Sequence, residues 1–356
     1  MISCKFFYQT IKLKLNQFYQ MVSLNDFNDE DTIKLLQQFE SLAKFNLVMN
    51  RDFQQRFDQP IPIKLKLIRL IFRLIVSITL LRLIGLLFIS SNCYQTIIAD
   101  PLIDVKGRES FIMFTIVFIS THMLIHEMSL IYEKQGRYIA LRIFSQIKSN
   151  RFSPDYLNIN LEQIKLFKKI FHFVLIIIIR LSQILIVSTI LLPLLIRLAN
   201  SKSLATYQLI VSSFFWIIIE ATVLAINVLG GALIGGCMIL YSIILYFQLD
   251  KIDRFSLSLV KYGLTNPHEK QIKSLNVHMI KYMNRFDKLI DDIRYMLLVL
   301  FLLISFCGDS FIFIGLTVDT GSKLWSNSLV AFGFYFLIFV GIGGYICGFF
   351  YLKVNN

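Results

Sequence analysis

Charge is scarce in this sequence. Asp, Glu, Lys and Arg make up 17% of the 356 residues and hydrophobic residues 56%. A soluble domain of this size carries about a quarter charged residues, so a soluble enzyme is excluded. Cysteine is equally sparse. Of the five, Cys237, Cys307 and Cys347 lie in apolar runs, Cys4 near the start and Cys93 at the edge of a run. That distribution supports no disulfide framework and excludes a small secreted scaffold. Residues 1–25 lack a compact apolar stretch with a small-residue cleavage site, the mark of a signal peptide. Catalytic signatures are missing too: there is no G-x-S-x-G, H-E-x-x-H, P-loop or C-x-x-C. Nothing points to an enzyme or calls for a cofactor. The net charge of +13 comes without aromatic-and-basic or zinc-finger spacing, so nucleic acid is not the expected partner.

What the sequence has is long apolar runs. Six stand out, at about 70–92, 110–132, 170–198, 205–250, 295–318 and 327–351. Each is long enough for a helix to cross the roughly 30 Å hydrocarbon core. The expected class is therefore all-α, a polytopic transmembrane helical bundle over 70–351 preceded by a cytoplasmic N-terminal region, 1–69. The fourth run is long enough for two crossings, with Gly230-Gly231 the natural place for a turn. Charge argues against that. Lys and Arg number 10 in 1–69, 8 in 133–169 and 9 in 251–294, against 2, 1 and 1 in 93–109, 199–204 and 319–326. Six crossings put all the basic segments on one side, as the positive-inside rule requires. The fourth run then reads as one helix passing from the outer face into the cytoplasm. The N-terminus lies inside a plasma membrane, and lipids are the expected surroundings.

The external loops are short and hold no N-x-[ST] sequon, leaving little surface for a large extracellular partner. The cytoplasmic side is richer. Residues 31–50 place Ile33, Leu36, Phe39, Leu42 and Phe45 at helical spacing, and 271–294 do the same with Ile272, Leu275, Met279, Met283, Phe286 and Ile290. The second amphipathic stretch reads as running straight into the fifth span.

Ionisable side chains inside spans cost about 2.5–3.5 kcal/mol on insertion scales and are functional candidates by default. Arg82 lies halfway along the first span and Glu220 at a similar depth in the fourth, so depth matching suggests an intramembrane ion pair. Arg180 in the third span is the competing partner. The pairing reads first as structural, fixing helix neighbours, with a ligand-contacting polar patch as the alternative. His122 and His126 have the i, i+4 spacing of a metal pair, but Glu127 points about 100° away from His126 on a helix. The expectation is an interhelical hydrogen-bonded pair and no metal. Gly231 with Gly235, and Gly344 with Gly348, have the small-xxx-small spacing that lets helices approach closely. Phe214, Phe215 and Trp216 fall in the outer half of the fourth span, where aromatics either pack or line an apolar pocket.

This layout resembles the arthropod gustatory and odorant receptors. The features that carry the resemblance are a cytoplasmic N-terminus, few external residues and a long fourth helix entering the cytoplasm. A cytoplasmic helix also leads into the fifth span through Tyr282-Met283-Asn284-Arg285-Phe286, and YSIILYF (Tyr241–Phe247) ends the fourth. The resemblance implies a subunit of a ligand-gated cation channel, a homo- or hetero-tetramer opened by a small organic ligand. Candidate ligand contacts are His122, Arg180, Phe214, Trp216 and Glu220. The family's seventh-helix Thr-Tyr…Gln-Phe motif does not occur in these residues, so the expectation is a member lacking its last helix. Two other classes stay open: a membrane transporter with an Arg82, Glu220 and Arg180 relay, and a structural membrane protein. Pro193 is the one sign of a discontinuous span.

Overall fold

The computed structural model describes residues 28–51, 53, 61–89, 100, 107–136, 139–199, 207–263 and 269–317, and residues 323–341 in part. Among them there is no strand. The elements are α1 (Asp29–Phe45), α2 (Ile63–Phe88), α3 (Arg108–Lys134), α4 (Ile139–Asn150), the one-turn α5 (Pro154–Leu157), a 3₁₀ turn (Leu161–Gln163), α6 (Ile164–Ala199), α7 (Tyr207–Gly263) and α8 (Glu269–Thr317). Four stretches are long and apolar enough to cross a membrane: Ile63–Phe88, Arg108–Lys134, Leu161–Val187 and Ser213–Arg254. By length and composition this is a membrane protein. The apolar end of α8, Phe301–Thr317, is shorter, and the described residues between 323 and 341 are helical.

Local chemistry sets the helix ends. Asp29, Glu30 and Asp31 occupy the first turn of α1 and Lys44 the last, each favourable to the helix dipole. The amphipathic pattern continues to residue 50, but the helix stops at Phe45 because Leu47 turns left-handed, at φ 59°. The amide of Val48 donates to Ala43 O (2.9 Å) and that of Leu47 to Lys44 O (3.0 Å), the paired bonds of a Schellman ending. The first apolar helix begins at Ile63, seven residues before the apolar run at 70, directly after Pro62, whose ψ of 136° lies outside the helix. Gly107, at φ 80°, makes the entry to α3.

α7 is unbroken over 57 residues, about 85 Å at 1.5 Å per residue, so Gly230-Gly231 make no turn. α8 is unbroken over 49 residues and joins the amphipathic 271–294 stretch to the fifth apolar run. The antiparallel α6–α7 pair forms the most extensive contact, and α3 touches α2, α7 and α8. Pro193 lies within α6, which continues to Ala199.

Two cores result. The larger joins α1, α4, α6 and the second half of α7 through the fully buried Phe39, Phe144, Phe167, Phe171 and Phe247. Phe167 meets Phe247 edge-on at 5.4 Å between ring centroids. The smaller core packs Phe72, Val76, Leu83 and Leu86 of α2 against Ile112, Ile119 and Val223. Besides these core residues, α2 buries polar groups and exposes apolar ones, the reverse of a water-soluble helix. Arg69, Thr79 and Arg82 are buried, while Leu70, Leu74, Ile78 and Leu81 are exposed. That inversion suits a hydrocarbon surrounding, where apolar side chains face outward at no cost and polar ones must find partners.

Candidate functional site

α2 and α7 bring three predicted residues together. Arg82 Nη1 lies 2.5 Å from Glu220 Oε1, and the Arg82 side chain is 3% exposed. The guanidinium also sits over the Trp216 ring, 4.3 Å from its centroid. Trp216 and Glu220 are one turn apart on α7, so a single face of that helix offers the cation a carboxylate and a π surface together. Phe215 stands edge-on to Trp216 at 5.4 Å. Phe214, beside them in sequence, is exposed.

The remaining candidates lie elsewhere. Arg180 is exposed and its Nη1 donates to Gln183 Oε1 at 3.0 Å on its own helix; it does not join the Arg82–Glu220 pair. His122 donates through Nδ1 to Phe118 O (2.9 Å) and packs on the Phe118 ring at 4.1 Å. His126 points Nε2 at Asn46 O, 3.3 Å away. Each imidazole is thus committed to a backbone carbonyl. Among the described residues no group of three His, Cys, Asp or Glu converges as a metal site would need.

The glycines divide in the same way. A Cβ on Gly231 would sit 3.5 Å from His122 Cδ2, so α3 and α7 meet there. Gly235 has nothing within 4 Å, and its neighbour Gly236 makes the tight contact instead, 2.9 Å from Ile178. Gly344 and Gly348 lie outside the described residues. The closest backbone approach is elsewhere. Cβ atoms on Gly308, Gly315 and Gly333 would all come within 3.1 Å of backbone across the contact between α8 and 326–337.

A second polar cluster escapes the hydropathy reading. The loop after α1 is buried among α2, α3 and α7, with Asn46, Leu47, Val48 and Met49 almost inaccessible. Glu133, in the last turn of α3, holds it. Its carboxylate accepts from the amides of Asn50 (2.7 and 2.8 Å) and Arg51 (2.9 Å) and from Asn50 Nδ2 (2.7 Å). Arg69 of α2 donates to Asn50 Oδ1 and, at 3.4 Å, to Leu47 O. Glu40 accepts from the Phe53 amide and from Lys148 Nζ, the latter at 2.7 Å. Thr32 and His172 join α1 to α6 at 2.8 Å. One turn past Arg69, Arg73 forms a bidentate pair with Glu127, at 2.6 and 2.8 Å. Arg69, Arg73 and Arg82 therefore tie α2 to three different partners along its length. The signal in the sequence is the i, i+4 spacing of Arg69 and Arg73 at the edge of an apolar run.

These contacts can fix helix neighbours and, at Arg82, present a paired charge to a polar ligand. Compared with family models, curated proteins and solved structures, the chain finds no match in any of the three.

Proposed function

We propose that this chain is a subunit of a small-molecule-gated cation channel of the chemosensory type, crossing the plasma membrane six times with its N-terminus in the cytoplasm. The observation that carries the reading is α7, an unbroken 57-residue helix. It extends far past the thickness of a bilayer, and its second half anchors the larger core with α1, α4 and α6. A helix built that way links a membrane segment mechanically to an internal domain, which is what gating of a pore by a ligand at the other end demands. Arg82, Trp216 and Glu220 supply the switchable contact. A ligand that engages Glu220 or the Trp216 face more tightly in one helix arrangement shifts the equilibrium by that difference in affinity. The lattice of charge supports the orientation, since the basic segments 1–69, 133–169 and 251–294 fall on one side in this topology.

The test is electrical. Expressed in oocytes with surface delivery verified by an epitope tag, the chain should give a cation conductance on addition of one member of a panel of small organic compounds. Glu220→Gln should shift the concentration that evokes half the current. Surface protein without any evoked current would overturn the channel reading, and substrate uptake without current would make it a transporter.

A further inference from the structure

Among the acidic residues of the apolar helices, Asp309 and, at the very start of α3, Glu109 have no partner among the described residues, and Asp309 lies deeper in its helix. Between Tyr295 and Thr317 it is the single charged residue. Glu127 pairs with Arg73, Glu133 holds the Asn50 loop and Glu220 pairs with Arg82. The Asp309 carboxylate, by contrast, is exposed and has no hydrogen bond or ion pair among the described residues. On the six-span reading proposed above this carboxylate lies in a membrane helix, where a cation is the favourable partner, and no described residue supplies one.

The surroundings say which cation. Asp309 opens into a crevice of about 280 Å³ between the first turn of α3 and the last turns of α8, lined by Ser110, Phe306, Asp309, Ser310, Phe313 and Ile314. Two walls are phenyl rings. Phe114 of α3 stacks behind Phe306 at 6.0 Å and meets Phe311 edge-on at 5.0 Å, holding this aromatic layer in place. Ser110 and Ser310 line the same space, and their hydroxyls have no hydrogen-bond partner among the described residues. Arg108, the cation nearest in sequence on α3, is engaged by Asp100 and by Leu86 O. The crevice thus offers one negative charge, two serine hydroxyls and phenyl rings, and among the described residues no basic side chain lines it. Ring faces attract cations and a carboxylate binds N–H groups strongly. Carboxylate and phosphate ligands are repelled by the same charge.

We propose that this crevice binds an alkylammonium group, the protonated amine of a small aromatic ligand seated with nitrogen on Asp309 and ring against Phe306 and Phe313. The site is separate from the Arg82–Glu220–Trp216 cluster. It does not depend on the channel reading, because binding is measured without any current. The crevice is shallow and open along one side, with room for a molecule the size of 2-phenylethylamine. The other source of the same chemistry is the ammonium of a lipid headgroup at the end of the bundle.

The experiment uses the full chain in nanodiscs of phosphatidylglycerol, which carries no ammonium, and titrates 2-phenylethylamine below its pKa by calorimetry, subtracting the same titration into discs without the protein because the anionic lipid itself attracts the amine. Saturable binding is expected, with the neutral isostere 2-phenylethanol at least about tenfold weaker. Asp309→Asn should weaken the amine by about tenfold or more and leave the alcohol unchanged. Phe306→Leu should weaken the amine by about threefold. Adding phosphatidylethanolamine to the discs separates the sources. Competition assigns the ammonium to lipid, and unaltered binding assigns it to the free amine. Equal affinities for amine and alcohol in the unsubstituted chain, a measurement that needs no variant, would overturn the proposal. So would unchanged amine binding by Asp309→Asn, or no saturation up to about 10 mM.

Discussion

At the scale of single residues, the Arg82–Glu220 contact shows what an apolar surrounding does to charge. Exposed ion pairs in water contribute little, a median of about 0–1 kcal/mol. A pair with one side chain nearly inaccessible behaves differently, since removing one partner strands the other charge at a cost of about 3–5 kcal/mol. Trp216 adds a π contact that survives loss of the carboxylate. The expected outcome is therefore asymmetric. Glu220→Ala should lower the melting temperature of the detergent-purified chain and its folded yield, and Arg82→Ala with Glu220→Ala should recover part of the loss. Additive losses in that cycle would show that the two groups are not coupled. Hydropathy makes the depth of these two residues legible, because each sits alone inside an apolar run. Arg69 and Glu133 were not legible in that way. They fall at the edges of runs, where a charge looks like ordinary topological flank. Their partners, backbone groups and the Asn50 side chain, belong to a loop more than eighty residues before Glu133, and no local pattern encodes such a contact.

At the scale of elements, periodicity carried the helices but not their close approaches. Long apolar runs locate α2, α3, α6, α7 and the end of α8 because length and composition alone demand a helix in lipid. Boundaries depend on other chemistry, such as Pro62 before α2 and the left-handed Leu47 after α1. The small-xxx-small pattern identifies Gly231, whose contact is with His122, but it also picks Gly235, which faces open space. The spacing says nothing about which face the neighbour occupies, and the closest approach, at Gly308, Gly315 and Gly333, does not use it. A matched pair of substitutions separates the two cases. Gly235→Ala has room for its methyl and removes a flexible residue from a helix interior, so stability should rise by about 0.5–1 kcal/mol. Gly315→Ala would bring a Cβ 2.7 Å from Val330 and 2.8 Å from Ser326 O. It should lose about 1–3 kcal/mol, because backbone cannot rotate aside as a side chain can. Thermal melts of the two variants in one detergent decide the matter, and equal melting temperatures would mean α8 and 326–337 do not approach so closely.

At the scale of the whole molecule, the two ends of the bundle differ in kind. One end gathers α1, α4, the buried loop and the second half of α7 around a phenylalanine core, a packed interior like that of a water-soluble domain. At the other end α2 and α3 meet through Arg108, which donates to Leu86 O at 2.6 Å. From Glu220 to Asp253, α7 advances about 50 Å, more than the roughly 30 Å of hydrocarbon. Glu220 must lie inside the apolar layer for its pairing with Arg82 to make sense, so Asp253 has to stand in water on the α1 side. On the topology proposed here, the basic segments put that side in the cytoplasm. Cysteines at three exposed positions test geometry and orientation together: Glu109 at the far end, Gln37 on α1 and Asp253 on α7. The background is quiet at the described native thiols, Cys237 and Cys307, which are both buried. Glu109→Cys should react with a membrane-impermeant maleimide on intact cells, and Gln37→Cys and Asp253→Cys only after permeabilisation. If Gln37→Cys and Asp253→Cys labelled from opposite sides, α7 could not be one helix leaving the bilayer beside α1. If both labelled on intact cells and Glu109→Cys did not, the fold would stand and the charge rule would have assigned the wrong face.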